Sequence, residues 1–337
     1  MQALGSFHAA GFEHTDAYQE ILGKINDDAN SPAQDFDALM QDLLPKFLAS
    51  NTALNLSVSP ELTEELTKTL ASLYQPGPFT VLAHGDIAPD NVFDHEGEKG
   101  LQLMDFEWSF PRNALMDGIY LRMCIPTGWC AKAIPTEVRE HAEAIYRAEL
   151  IKTIPSATDD KAYKTAYTNA CVFSLFQEVA HLNNILKEEQ TFFSGPVPEN
   201  SLWNPETNLG RPRFLSRLQA FIDVATENNL LPHLREMATQ MLAKVKELWP
   251  EAKPLEYYPA FETRPAHTST ACIVNQLGGA SVSPSTPILE ELEWEEGAHK
   301  GVQPNIEVDT KEALKQALDE IQSLEHASEN SLPTQKP

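Results

Sequence analysis

The chain carries HGDIAPDN at 84–91 and LQLMDFE at 101–107, and these two stretches decide the fold class. The apolar run FTVLA at 79–83 precedes the first stretch, so HGDIAPD is a polar loop that follows a short strand. Asn91-Val92-Phe93 and LQLM at 101–104 are two further strand candidates. The polar residues between them are typical of a hairpin turn, and the pattern therefore predicts a β-hairpin directly after a polar loop.

Three polar residues stand at the ends of these predicted strands. Asp86 lies in the loop, Asn91 follows five positions later, and Asp105 closes the second hairpin strand. A tight hairpin brings all three to the same end of the two strands. Phosphoryl transfer needs a carboxylate near the attacking hydroxyl and oxygen ligands that hold Mg²⁺ against the nucleotide phosphates. Magnesium commonly takes one or two carboxylates, and the sequence offers that set in order.

The spacing of these residues resembles a known family. His84-Gly85-Asp86-x-x-Pro89-x-Asn91, followed by DFE at 105–107, resembles the aminoglycoside phosphotransferase and choline kinase group of kinase-like enzymes. LMDFEWS at 103–109 is particularly similar to the choline kinase version. The resemblance, clear over about residues 79–125, implies ATP and Mg²⁺ as cofactors and these site residues: Asp86 as catalytic base, Asn91 and Asp105 as magnesium ligands, and His84 and Asp117 as structural supports of the loop.

Most of the remaining chain up to about residue 250 shows helical periodicity. Ser31-Pro32-Ala33-Gln34 and Ser59-Pro60-Glu61 predict helix starts, because each places an N-cap serine before a proline at the first helical position. After Ala114 apolar residues recur at helical spacing and predict helices over 115–125, 136–153, 158–187, 211–228 and 232–249. The expected fold class is α+β: the mainly helical C-terminal lobe of a protein-kinase-like fold, with a short hairpin carrying the catalytic and metal segments.

The sequence predicts one folded lobe and a tail. Residues 1–255 form the predicted lobe, and 256–337 are rich in proline, serine and acidic residues. That tail is predicted to be largely disordered, apart from one amphipathic helix at 310–326. The 83 residues before His84 follow a helical pattern. They contain no β-rich stretch with a glycine turn and a strand lysine, so we expect the chain to lack the N-terminal lobe of the family it resembles.

Composition narrows the classes of partner and compartment. The formal charge of −24 over 337 residues disfavours nucleic acid, because phosphate backbones require basic clusters. The same acidity favours a cationic small molecule, although it also serves solubility. The sequence contains no run of ~18 apolar residues, which is the length that a membrane span needs. The four cysteines form no CxxC pair, which favours reduced thiols in a cytoplasmic protein.

Several other residues are candidates with open alternatives. Glu107 and Trp108, together with Tyr120 and Trp129, could contact an ammonium group through a carboxylate and aromatic faces. Such aromatic residues are more often part of the core. A second group, Glu178 with His181 on the long predicted helix, reads more simply as a satisfied or exposed pair, because no metal-binding spacing such as HExxH is present.

Two functions from different classes follow from these observations. The first is an ATP- and Mg²⁺-dependent phosphotransferase that acts on a hydroxyl of a small molecule, in the amino alcohol or amino sugar class. The alternative is a non-catalytic, kinase-like remnant that acts as a binding or scaffold protein through its acidic tail and the 310–326 helix. The missing lobe favours the remnant, and the intact set of Asp86, Asn91 and Asp105 favours the enzyme. The sequence does not predict an oligomeric state.

Overall fold

The computed structural model describes residues 1–18, 20, 36–75, 77–95, 100–187 and 209–262. Over these residues the chain is α+β and mostly helical, with two small antiparallel sheets. The predicted helix start at Ser31, and the tail beyond 262 with its predicted helix at 310–326, lie outside the described residues. No helix in the described ranges is long and apolar enough to cross a membrane.

The elements follow one another in a simple order. The helices are α1 (Gln2–Gly11), α2 (Phe36–Ala53), α3 (Pro60–Tyr74), α4 (Leu115–Gly118), α5 (Thr136–Leu150), α6 (Asp160–Ala180), α7 (Leu182–Lys187), α8 (Gly210–Glu227), α9 (Pro232–Leu248) and α10 (Pro259–Glu262). The strands are β1 (Thr80–Ala83), β2 (Val92–His95), β3 (Gly100–Leu103) and β4 (Phe110–Asn113). Short 3₁₀ turns occur at Pro89–Asn91 and Pro155–Thr158.

The predicted hairpin is confirmed. Strand β2 pairs with β3 in antiparallel register, from Val92 opposite Leu103 to His95 opposite Gly100. Strand β1 pairs instead with β4, from Thr80 opposite Asn113 to Ala83 opposite Phe110. The sequence did not predict β4, because Pro111 cannot donate to a ladder and disfavours a strand assignment. Proline is tolerated in this two-stranded sheet, where each strand has a free edge.

Helix α6 is the centre of the core. It packs against α2, α3, α4 and α8, and α9 covers the far side of α8. The largest fully buried apolar side chains come from several of these elements: Phe47, Leu66, Phe176, Phe214 and Phe221. The predicted start of α3 is confirmed, since the Ser59 hydroxyl oxygen accepts a hydrogen bond from the backbone N–H of Leu62 at 3.2 Å. This core fixes the helices that surround the loop and the hairpin.

Helix α1 lies unusually close to α5. A Cβ atom on Gly5 would lie 2.6 Å from the Cβ of Glu149, so a larger residue would force the two helices apart. Helix α1 agrees with the helical pattern expected for the residues before His84. The close packing brings the buried face of α1 against α5 and β1, next to the loop that follows β1.

Two predicted helices differ from the structure. The helix expected over 115–125 is wrong beyond Gly118, where α4 ends and the chain continues in turns. Cys124 and Ile125 adopt left-handed φ angles of 53° and 50°, a conformation that no helix accommodates and that is costly for a β-branched residue. The helix expected over 158–187 is two helices, α6 and α7, which are separated at His181.

Candidate active site

The loop after β1 depends on a glycine. Gly85 has a φ of 93°, a conformation that residues with a Cβ rarely adopt. A Cβ at this position would also lie 2.5 Å from the carbonyl oxygen of Trp108 and 2.8 Å from Nη2 of Arg112. The glycine therefore allows the loop to run directly against β4 and the segment before it, and Asp86 follows at once.

The Asp86 carboxylate is held at both of its oxygen atoms. Oδ2 accepts a hydrogen bond from Nδ2 of Asn91 at 3.0 Å, and the same amide nitrogen reaches the Asp86 carbonyl oxygen at 3.0 Å. Oδ1 accepts a hydrogen bond from the hydroxyl of Thr127, a residue that the sequence analysis did not single out. Because Asn91 donates through nitrogen, its Oδ1 atom is left available to a cation.

The hairpin places Asp105 beside Asn91. The backbone N–H of Met104 donates to the carbonyl oxygen of Asn91 at 3.0 Å, so Asp105 follows immediately across the hairpin. Asp105 is exposed and has a φ of 64°. Asp and Asn are the residues other than glycine that best tolerate this left-handed conformation. The bend turns the chain out of β3 and away from the ladder at the residue predicted to bind metal.

His84 joins the loop to the hairpin. Its Nε2 atom lies 2.8 Å from the carbonyl oxygen of Met104, and Nδ1 lies 3.3 Å from the backbone nitrogen of Asp86. A carbonyl only accepts and a backbone N–H only donates, so these partners assign His84 as the neutral imidazole protonated at Nε2. The ring also lies 4.6 Å from the ring of Phe106. His84 thus fixes the distance between the two segments that carry Asp86 and Asp105.

Asp117 is a fully buried carboxylate beneath the loop. The backbone N–H groups of His84 and Gly85 donate to it at 2.6 and 3.1 Å. The Nε2 of His8 lies 3.1 Å from Oδ2, and Nη2 of Arg112 lies 3.3 Å from Oδ1. Burial alone would raise the pKa of Asp117, but the hydrogen bond from His8 and the charge of Arg112 outweigh it and lower the pKa to about 2. The carboxylate stays ionised and anchors the loop backbone.

His8 reaches this carboxylate from the first helix. Its Nδ1 atom lies 2.7 Å from the hydroxyl oxygen of Tyr146, and the His8 side chain is completely buried. No role for His8 was predicted from the sequence. The available signal was a polar side chain on the apolar face of that helix, where a buried polar group requires a partner.

A buried arginine shapes the loop that carries Thr127. Arg217, 1% exposed, forms an ion pair with Glu178 at 2.5 Å. It also donates to three loop carbonyl oxygens at 3.1 to 3.3 Å, those of Met123, Ile125 and Pro126. Glu178 is therefore the satisfied residue that the simpler interpretation expected, and it does not line the site. Arg217 holds the left-handed turn that delivers Thr127 to Asp86.

A cavity of about 380 Å³ opens beside Asp86, a volume within the usual range for small-molecule sites. Its walls are mostly apolar, and the aromatic residues among them are Tyr74, Trp108, Phe110, Tyr120 and Phe173. The structure thus brings the predicted contacts Trp108 and Tyr120 to the cavity. Glu107 and Trp129 are not among its described lining residues, and Trp129 instead donates to Asp90 at 3.1 Å.

The side chains of the hairpin end suit a hard divalent cation. Among the described residues no group of three or more His, Cys, Asp or Glu side chains could hold a metal ion by itself. A cation here would take the carboxylate of Asp105 and the amide oxygen of Asn91, with phosphate and water oxygens completing the shell, which is the usual pattern for Mg²⁺. The chain matches no protein-family model and no curated protein, so the function rests on this geometry.

Proposed function

We propose that this chain is a kinase-like phosphotransferase that moves the γ-phosphoryl group of ATP to a hydroxyl of a small molecule in the presence of Mg²⁺. The observation that carries the proposal is the Asp86 carboxylate, held at both oxygens at the wall of a cavity and bonded to Asn91. Asp105 lies on the other side of Asn91 across the hairpin. The three residues supply the base and the cation ligands that phosphoryl transfer requires.

The protein's part in this reaction is positioning and proton transfer. A hydroxyl in the cavity approaches Asp86 from the side of Thr127, which also lines the cavity, and its proton passes to Oδ1. Asn91 keeps the carboxylate in place through Nδ2 and offers Oδ1 to the metal, while Asp105 offers a carboxylate oxygen. Bound Mg²⁺ would neutralise charge that develops on the phosphate oxygens. His84 and Asp117 hold the two segments at a fixed separation.

Isothermal titration of the full chain with ATP tests the nucleotide site. We expect ATP to bind with Mg²⁺ and to lose affinity when EDTA is added, because Asn91 and Asp105 would hold the cation that neutralises the phosphate charge. Asp105→Asn is expected to weaken Mg-ATP binding by about 10- to 100-fold. Asp94→Asn is the matched control, because Asp94 is an exposed residue of the hairpin on β2. This substitution also removes one carboxylate charge. Equal affinities of the two variants would contradict the assignment of Asp105.

Thr127→Val tests the positioning of Asp86. Valine keeps the shape of threonine but cannot donate to Asp86 Oδ1, so the carboxylate gains freedom and the catalytic constant is expected to fall by about 10-fold. Thr127→Ser restores the hydroxyl and is expected to recover most of the lost turnover. The measurement is the steady-state kinetics of both variants. A change confined to KM, with kcat preserved, would show that Thr127 contacts the substrate and does not position the base.

A second candidate, a non-catalytic binding protein, has one structural observation in its favour. Large apolar side chains are exposed on the hairpin and on the segment after it: Phe93 (53%), Leu101 (49%), Met104 (45%), Phe106 (40%) and Trp108 (51%). An exposed apolar group of this kind marks a surface that another polypeptide can cover. If the titration detects no binding of ATP, either with or without Mg²⁺, the result would favour this candidate over the enzyme.

We propose a cytoplasmic setting with a small-molecule substrate and no nucleic acid. The described cysteines, Cys124, Cys130 and Cys171, are free and buried. Burial raises the pKa of the Cys124 thiol and that of Cys171, the latter to about 12. Such thiols are unreactive and suit a reducing compartment.

A further inference from the structure

The cavity beside Asp86 has an unexpected distribution of charge. Of its described lining residues only two are charged, Asp86 and Arg112. Both oxygens of Asp86 already accept hydrogen bonds, from Asn91 and Thr127. Each oxygen of Asp86 keeps a lone pair for a hydroxyl that enters, and Arg112 is the one positively charged residue among the described lining residues.

Arg112 has far more donors than partners. It lies on β4, is 9% exposed, and shares the buried face of that strand with Phe110, whose ring centroid lies 4.4 Å from the guanidinium carbon. Within the described part of the chain its side chain makes a single hydrogen bond, from Nη2 to Oδ1 of Asp117 at 3.3 Å, and Nε has no partner there. A guanidinium carries five N–H donors. Buried polar groups are normally satisfied, so a guanidinium with donors to spare at the edge of a cavity can bind an acceptor that enters.

Asp117 does not account for this arrangement. It already accepts hydrogen bonds from His8 and from the backbone of His84 and Gly85, and the contact with Arg112 is the longest of the four. Neutralising a buried carboxylate requires a nearby positive charge, and it does not require that charge to line a cavity. The guanidinium lines the cavity as well as contacting Asp117, so it can also meet an anion that enters.

Tyr74 adds a second donor to the lining of the cavity. Its side chain lines the cavity, and burial raises its pKa to about 12 against the opposing charge of the nearby Arg112. The phenol is therefore protonated at neutral pH and can donate a hydrogen bond. Arg112 and Tyr74 are thus two donors among the residues that line the cavity, and both suit a carboxylate.

We infer that the cavity binds an alcohol that carries a carboxylate group, with the carboxylate on Arg112 and Tyr74 and the hydroxyl at Asp86. The apolar and aromatic walls fit an apolar group attached to the carbons that carry the carboxylate and the hydroxyl. The amino alcohol or amino sugar expected from the sequence is the alternative occupant, and the test below sets the two against each other. The inference rests on the proposed function for the role of the hydroxyl, and the binding site itself is independent of that role.

Three compounds with one carbon skeleton test the inference in the full chain. 3-Phenyllactate carries a hydroxyl and a carboxylate, phenylalaninol carries a hydroxyl and an ammonium group, and 3-phenyl-1,2-propanediol is neutral. Binding is measured by calorimetry without nucleotide. We expect phenyllactate to bind at least about tenfold more tightly than either of the other two, because a charge-assisted bidentate pair forms only with the carboxylate.

Arg112→Lys supplies the matched variant. Lysine keeps a positive charge beside Asp117 but loses the planar fork of donors. The variant is expected to lose about tenfold in phenyllactate affinity and to bind the diol as the natural chain does, which also shows that the cavity is intact. Should the lysine variant fail to fold, the comparison of the three compounds on the natural chain still decides the question.

The outcomes separate this inference from the proposed function. Phenyllactate that binds most tightly but is not phosphorylated with Mg-ATP supports the carboxylate site and counts against the kinase. Phosphorylation of phenylalaninol in preference to phenyllactate supports the kinase and overturns the carboxylate site. Tighter or equal binding of phenylalaninol, or no binding of any of the three at millimolar concentration, also overturns it.

Discussion

Asp86→Asn is expected to lower turnover by about 10²- to 10⁴-fold, the usual contribution of a general base. The amide keeps the shape of the carboxylate and can still accept a hydrogen bond, but it cannot take the proton of the attacking hydroxyl. The free energy of unfolding should change by less than about 1 kcal/mol, because Asp86 is only partly buried and its neighbours Asn91 and Thr127 can rearrange their donors. Activity and stability therefore separate in this variant.

The measurement is ADP release with saturating Mg-ATP and the alcohol that binds the cavity most tightly, alongside urea unfolding of the same preparation. Asp94→Asn is the control, since it removes one exposed carboxylate from the neighbouring strand and is expected to keep full turnover. Normal turnover of Asp86→Asn, in a protein of unchanged stability, would contradict the assignment of Asp86 as the base.

Asp117→Asn is expected to lower the free energy of unfolding by about 3–5 kcal/mol, the usual cost of removing one partner from a buried ion pair. The variant leaves the Arg112 guanidinium without its carboxylate partner. It also replaces a carboxylate that accepts four hydrogen bonds by an amide whose NH₂ group can only donate. Urea unfolding at pH 7 measures the loss. Asp42→Asn is the control, because Asp42 is 61% exposed and pairs with the exposed Lys46 one helical turn away. Its effect should stay below about 0.5 kcal/mol.

The same residue gives a defined pH dependence. The pKa of Asp117 is lowered in the folded state from 3.8 to about 2, so its contribution is fully present above pH 4 and is lost as pH falls through 2. The integrated amount is about 2 kcal/mol. Between pH 4 and pH 2 the natural chain should lose this much more stability than Asp117→Asn. Parallel stability curves for the two proteins over that interval would contradict the ionised state of Asp117.

The sequence predicted those parts of the fold whose signals are local. The hairpin, the capped start of α3 and the helices α8 and α9 each follow from periodicity, a serine cap or a turn between apolar runs. Strand β4 was missed because FPRN lacks alternation and contains proline. The helix over 115–125 was wrong because a contact almost a hundred residues away, with Arg217, bends the chain at Cys124 and Ile125.

The candidate site divides in the same way. Asp86, Asn91 and Asp105 were found from the sequence because they lie within a few residues of two short strands, where spacing alone brings them together. His8, Arg112 and Thr127 were not found, since each comes from a separate element and meets the loop only in three dimensions. A histidine in an apolar helix or a threonine in a turn has too many ordinary explanations to be chosen from sequence.

The left-handed turn at Cys124 and Ile125 also bears on how the active-site motif could be transferred between proteins. The turn is an unfavourable conformation for its own residues, and Arg217 and Glu178, on α8 and α6, maintain it from outside the motif. A graft of residues 79–113 onto a foreign scaffold would carry the loop, the hairpin and β4 but not the hydroxyl of Thr127. The smallest part of this site that could be transferred is therefore the motif together with helices α6 and α8, which hold the turn before Thr127.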